Sequence, residues 1–143
     1  MEAKEDVKNE ILSILDDYSK YYLNKDLDGL ISLFVSDPDL VAIGTGADEW
    51  VKGRDQLRNG FIRDLSQADD IQMIFDKLTI SSLGEVVWVS GALTMHASID
   101  GSEVIMPGRA TMVLIKTDTE WLFTHLHYSV PEEKQENGES WPE

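Results

Sequence analysis

The chain has no cysteine, only four prolines and three histidines, and just 12 lysines and arginines against 27 aspartates and glutamates. Without thiols there are no disulfides, no cysteine nucleophile and no cysteine-bound metal, a composition that fits a reducing compartment. Nowhere do about 18 apolar residues follow one another without a charge, so no transmembrane helix is expected. The opening MEAKEDVKNE lacks the basic and apolar regions of a secretory signal, and a cytoplasmic location is expected. A formal charge of −15 repels polyanions, because binding them depends on Lys and Arg displacing counterions. Nucleic acid and anionic membrane are therefore not expected as partners.

What is present suits one compact domain. At 143 residues and 42% hydrophobic content the chain can build a single core, and it contains no internal repeat. Only the end differs in composition. The sequence PEEKQENGESWPE carries five acids and one lysine, which divides the chain into a domain over 1–131 and an acidic tail over 132–143. Trp141 in that tail either docks on the domain or stays exposed, and the sequence leaves both open.

From Glu5 to Leu23 the residues Val7, Ile11, Ile14, Leu15, Tyr18 and Tyr22 recur in steps of three and four, the mark of an amphipathic helix. Asp26 is placed to cap a second helix whose buried stripe is Leu27, Leu30, Ile31 and Phe34, and Pro38 forbids its continuation. A short hairpin, LVAIGTGADEWV, precedes a third helix carrying Leu57, Phe61, Ile62 and Leu65. From Ile71 onward the pattern changes to IQMIFDKLTI, EVVWVSGALTMHASI, EVIMPGRATMVLIK and EWLFTHLHYSV, long strands rich in β-branched and aromatic residues. Three N-terminal helices followed by a long antiparallel meander define an α+β domain.

Asp100-Gly101 is a strong two-residue hairpin signal, because both central positions of a type I′ turn take positive φ. It pairs Ile99 with Ser102, His96 with Ile105 and Ala92 with Arg109. If the next loop spans Thr117 to Glu120, then Lys116 pairs with Trp121, Met112 with His125 and Ala110 with His127. Opposed residues share a face and alternate residues switch it. One face then holds Leu93, Met95, Ala110, Met112, Trp121, Phe123, His125 and His127 and should take the helices. The other holds Trp88, Ala92, Thr94, His96, Arg109, Thr111, Val113, Leu126 and Tyr128, a mixed surface suited to a subunit interface. A one-residue bulge, placed near Pro107 and Gly108, would invert parts of this assignment.

The sequences Asn24-Lys25-Asp26, GTGADEWVKGRDQL (44–57) and EWLFTHLHYSVP (120–131) resemble the SnoaL-like group of the nuclear transport factor 2-like superfamily. The terminal His-x-His-x-Ser after a tryptophan also resembles the association domain of calcium/calmodulin-dependent protein kinases. The resemblance implies a cone, a strongly curved antiparallel sheet wrapped round a long helix, with a pocket at its wide end and a homodimer formed through the outer sheet face. In the ketosteroid isomerase branch a general-base aspartate stands on the first strand, roughly where this chain has Ala42 or Ile43. That carboxylate is missing here. Kinase association domains carry a cavity arginine close to position 112, where this chain has Met112.

His125 and His127 are the expected catalytic pair, because an imidazole titrates near neutrality and two residues apart on a strand share a side. Asp48 and Glu49 at the expected pocket mouth are their candidate carboxylate partners. Tyr18 or Tyr22 is placed to donate to a carbonyl oxygen. With Trp50, Met112 and Trp121 these tyrosines and histidines make up the expected ligand-binding set. His96, the third histidine, lies one strand removed and on the opposite face, and no Cys can substitute for it, which leaves only a loop Asp or Glu as a third ligand; no metal is expected, and no cofactor. Arg109 is assigned to the interface. The expectation is a homodimer binding a small organic molecule in an internal pocket. The alternative is a cofactor-independent acid/base enzyme, of isomerase, cyclase or dehydratase type, acting on a small carbonyl compound.

Overall fold

The computed structural model describes residues Met1–Glu143. Helix α1 (Glu5–Leu23) buries Ile11, Leu15, Tyr18 and Tyr22, the stripe its periodicity predicts. Helix α2 (Leu27–Ser32) begins at Asp26, whose carboxylate accepts the Gly29 N–H at 2.9 Å. It ends well short of Pro38. Its exit is set by pairing: the Phe123 N–H donates to the Leu33 carbonyl at 2.8 Å and the Val35 N–H to the Phe123 carbonyl at 2.9 Å. Strands β1 (Val41–Ile43) and β2 (Trp50–Lys52) form the hairpin that leads into α3 (Gly53–Gln67). In α3, Leu57, Phe61 and Leu65 are buried, whereas Ile62, expected on the same stripe, is 45% exposed. Lys25 fastens the end of α3 by donating to the Leu65 and Ala68 carbonyls at 3.0 and 2.6 Å.

Four long strands follow: β3 (Asp70–Leu83), β4 (Val86–Ile99), β5 (Ser102–Lys116) and β6 (Trp121–Ser129). They join the hairpin in one curved, unclosed sheet of order β2-β1-β6-β5-β4-β3. The α+β class and the cone expected from the sequence are what the chain adopts. One pair departs from the antiparallel expectation, since β1 runs parallel to β6. Asp100 (φ 51°) and Gly101 (φ 79°) take the left-handed conformations their hairpin requires, and the β4–β5 register is the predicted one, Ile99 opposite Ser102 and Ala92 opposite Arg109.

The β5–β6 register is not. Leu114 pairs with Phe123, but Val113 pairs with His125, so Thr124 is an extra residue on β6 and everything beyond it changes sides. No register shift occurs near Pro107 and Gly108; the slips lie on β6 and between Asp76 and Thr79 of β3. Beyond the bulge, Leu126 and Tyr128 stand opposite Met112 and Ala110 on the inner face, while His125 and His127 stand opposite Val113 and Thr111 on the outer one. The inward direction expected of both histidines is therefore corrected, as is the outward direction expected of Leu126 and Tyr128. The physical reason is burial. The bulge keeps Phe123 inside against Phe34, with ring centroids 5.1 Å apart, and places a leucine and a tyrosine inside in place of two imidazoles that would each need buried partners.

No helix is long and apolar enough to cross a membrane. After Ser129 the chain forms only turns, and Trp141 is 82% exposed.

Candidate functional site

The concave side of the sheet and the helices enclose a cavity of about 640 Å³. Tyr18, Tyr22, Phe34 and Phe61 line it and, with Phe123 of β6 behind them, pack edge-on or tilted with centroids 5.1–6.2 Å apart. On the sheet side the wall is aliphatic and methionine-rich. Exposed lining residues mark the cavity's rim: Asp48 and Trp50 of the β1–β2 hairpin, Gln56 and Asn59 of α3, and Ile99 and Val104 at the β4–β5 end.

The polar centre of the cavity comes from α1 and α3. Tyr22 donates its hydroxyl to Oδ2 of Asp64 at 3.1 Å, and the Tyr18 ring stands edge-on to Tyr22 at 5.3 Å. Burial raises the Asp64 carboxyl to about 6, partly offset by the Tyr22 hydroxyl. Nearby Glu49 raises it further and Arg63 lowers it. Burial also pushes both phenols well above their ordinary range, with Tyr18 and Asp64 adding to the effect on Tyr22. The result is a carboxyl that titrates near neutrality beside phenols that stay protonated. Such a group can hold or move one proton, and it can accept from a hydroxyl or donate to a carbonyl.

Arg63 ties the mouth together. Its guanidinium lies 2.7 Å from Asp48 and 3.3 Å from Glu49, and its hydrogen bond and charge hold the Asp48 carboxyl below the usual carboxylate range. Glu49 also accepts the Gly46 N–H at 3.2 Å, which fixes the hairpin turn. Of the cavity-lining side chains Arg63 alone is cationic, and both of its carboxylate partners belong to the hairpin.

Of the residues singled out from sequence, Tyr18, Tyr22, Trp50 and Met112 line the cavity, with Trp50 at the rim, 68% exposed. Asp48 and Glu49 line the mouth. Trp121 does not reach the cavity. It is buried against α1, where its indole N–H donates to Glu10 at 2.7 Å. His125 is half-buried and His127 exposed, both on the convex face, which removes them from the cavity. Ala42 lines the cavity beside Leu126, so the first strand presents no carboxylate there. The carboxylate of this cavity is Asp64, on a different element. The sequence signal for it is its spacing: three residues after Phe61 and seven after Leu57, it occupies the apolar stripe of α3. No group of three His, Cys, Asp or Glu side chains is arranged to hold a metal.

A curved open sheet wrapped over helices, lining an apolar cavity with a half-buried carboxyl paired to a buried phenol, defines a cone-shaped pocket domain. The chain belongs to the SnoaL-like domain family, whose sequence profile matches residues 11–133. Its fold is shared with a nuclear transport factor 2-like superfamily protein from Salmonella enterica, at 22% identity over 97% of this chain and 100% of that one, with a TM-score of 0.84. It is similar also to a candidate dehydratase of the NTF2-like family from Streptomyces avermitilis, at 16% identity over 90% of this chain and 99% of that chain, TM-score 0.81. A candidate calcium/calmodulin-dependent protein kinase II association domain from Xanthomonas campestris matches at 22% identity over 87% of each chain, TM-score 0.78. Among curated proteins none matches the chain.

Proposed function

We propose that the protein binds a small, largely apolar organic molecule in its cavity and holds one polar group of that molecule against Tyr22 and Asp64. A single observation carries this reading: an apolar hollow of about 640 Å³ has one carboxyl–phenol pair on its wall. Ligand sites typically occupy roughly 300–1,000 Å³ and combine an apolar lining with few polar anchors. The test is a thermal-shift screen of uncharged compounds, since a ligand that binds only the folded state raises the melting temperature. Hits should lose at least about tenfold in affinity in Asp64→Asn and Tyr22→Phe. A screen in which no uncharged compound stabilises the protein overturns the reading.

The acid/base alternative rests on a specific observation, the carboxyl of Asp64 raised to about 6. In that reading Asp64 takes a proton from carbon next to a carbonyl and returns it elsewhere, while Tyr18 or Tyr22, kept protonated, donates to the carbonyl oxygen. No cofactor is needed for such a transfer. The candidate dehydratase among the similar structures agrees with it only at the level of fold. Activity that rises with pH through about 6 and vanishes in Asp64→Asn supports it.

We also propose a cytoplasmic homodimer paired through the outer sheet face. Support comes from its mixture of apolar and polar groups: Trp88, Ala92, Ile105, Thr111 and Val113, with Arg109 opposite Ala92 and with His125 and His127 added by the β6 bulge. Sedimentation should give a dimer for the native chain and a monomer for Thr111→Arg, which places a charge on exposed residues of that face. A native monomer overturns the proposal.

A further inference from the structure

Three neighbouring strands present methionine at the same rung of the concave face. Met73 of β3 pairs with Met95 of β4, and Met95 pairs with Met106 of β5. All three line the cavity, and so does Met112 further along β5, so every methionine of the chain except Met1 faces this one hollow. On the inner face the rung stands among Ile71 of β3, Leu93 and Ala97 of β4, and Val104 of β5. Strands generally favour Val and Ile because branched side chains pack stiffly on a pleated surface. Methionine does the opposite. Its unbranched chain has three rotatable bonds, and its polarisable sulfur makes favourable contacts with aromatic rings.

The mouth adds a second constraint. The one cationic side chain lining the cavity, Arg63, is already held by Asp48 and Glu49, and Asp64 stands beside it. An anionic ligand in this cavity would face three carboxyl groups and meet no free cation. We infer that the Met73–Met95–Met106 rung is the recognition surface for the flat aromatic part of an uncharged ligand, with selectivity set by sulfur–ring contact. This inference rests on the cavity reading above and adds to it the chemical class of the guest and the residues that choose it.

The experiment compares two uncharged alcohols with the same polar group, 2-naphthalenemethanol and its saturated decahydro counterpart, by calorimetric titration. The saturated compound is at least as apolar, so burial of surface alone does not favour the aromatic one. The native protein should bind the aromatic alcohol at least about fivefold more tightly, the excess coming from sulfur–ring contacts. In the triple variant Met73→Leu, Met95→Leu, Met106→Leu that preference should fall below about twofold, with affinity for the saturated alcohol little changed because leucine keeps the volume. The anion 2-naphthoate should bind at least about tenfold more weakly than the aromatic alcohol. Equal binding of the two alcohols by the native protein, a preference that survives the triple substitution, or tight binding of the anion overturns the inference while leaving the cavity reading intact. Failure of both alcohols to bind overturns the inference, and the cavity reading falls with it only when the thermal-shift screen of uncharged compounds also yields no ligand. If the triple variant shows no cooperative melting, Met95→Leu, at the centre of the rung, takes its place and should lose about half of the preference on a logarithmic scale.

Discussion

Asp64 concentrates the consequences of burial in one side chain. Its carboxyl goes from an ordinary 3.8 to about 6, so the folded protein holds this proton more tightly than the unfolded chain does. The sign follows from linkage: between about pH 4 and 6 the native state binds more protons, and stability falls as pH rises through that window. The cost of the ionised form above pH 6 is on the order of 2–3 kcal/mol, at about 1.4 kcal/mol for each pH unit of the shift. Asp64→Asn should therefore gain stability relative to the native chain above pH 6 and lose that gain below pH 4. Urea unfolding of both proteins across this range measures it, and parallel curves would show that Asp64 is not perturbed. The histidines give the complementary prediction. Because His125 and His127 lie on the convex face, His125→Ala and His127→Ala should change the affinity of any cavity ligand by less than about twofold in a calorimetric titration. A tenfold loss would mean that the β6 register is wrong.

Among the elements, β6 has the largest influence on the site, since a single extra residue at Thr124 decides which half of its side chains faces the cavity. Tyr128, turned inward by that bulge, donates its hydroxyl to the Met106 carbonyl at 2.6 Å and ties β6 to the methionine rung of β5. Its ring leaves no room at Gly108: a methyl group there would come within 2.6 Å of Tyr128 Cε1 and also meet the Ser129 backbone oxygen. Gly108→Ala should destabilise the protein by about 1–3 kcal/mol, the usual cost of overpacking, as read from chemical denaturation. A neutral result would indicate that the ring moves freely and that the β5–β6 contact is loose.

Across the whole molecule, a net charge of −15 is spread over a domain with few basic residues to answer it. Several of those are already in local pairs, such as Lys20 with Asp16 at 2.8 Å and Lys8 with Glu2 at 2.7 Å, both at the surface. Exposed pairs contribute little, so self-repulsion is the larger electrostatic effect. Raising sodium chloride from about 20 mM to 500 mM shortens the screening length several-fold and should raise the melting temperature by at least about 3 °C. A melting temperature that is flat or falls with salt would show that paired charges outweigh the general repulsion. The same negative field surrounds the cavity mouth and works with the occupied Arg63 to disfavour anionic guests.

The elements and most of their pairing were legible in the sequence because their signals are local. The stripe of α1, the Asp26 cap and the left-handed Asp100-Gly101 turn each depend on residues within a few positions of one another, and the turn alone fixed the β4–β5 register. The motifs at 24–26, 44–57 and 120–131 likewise carried the cone. What the tertiary structure decided is which side chains meet inside it. Strand alternation has a period of two, so the bulge at Thr124 exchanged two histidines for Leu126 and Tyr128, and that bulge depends on Phe123 packing on Phe34 and pairing with the segment after α2. Asp64 gained its raised carboxyl, and three methionines gained a common rung, only when distant segments closed over one hollow, because desolvation and cross-strand neighbours exist only in the folded chain.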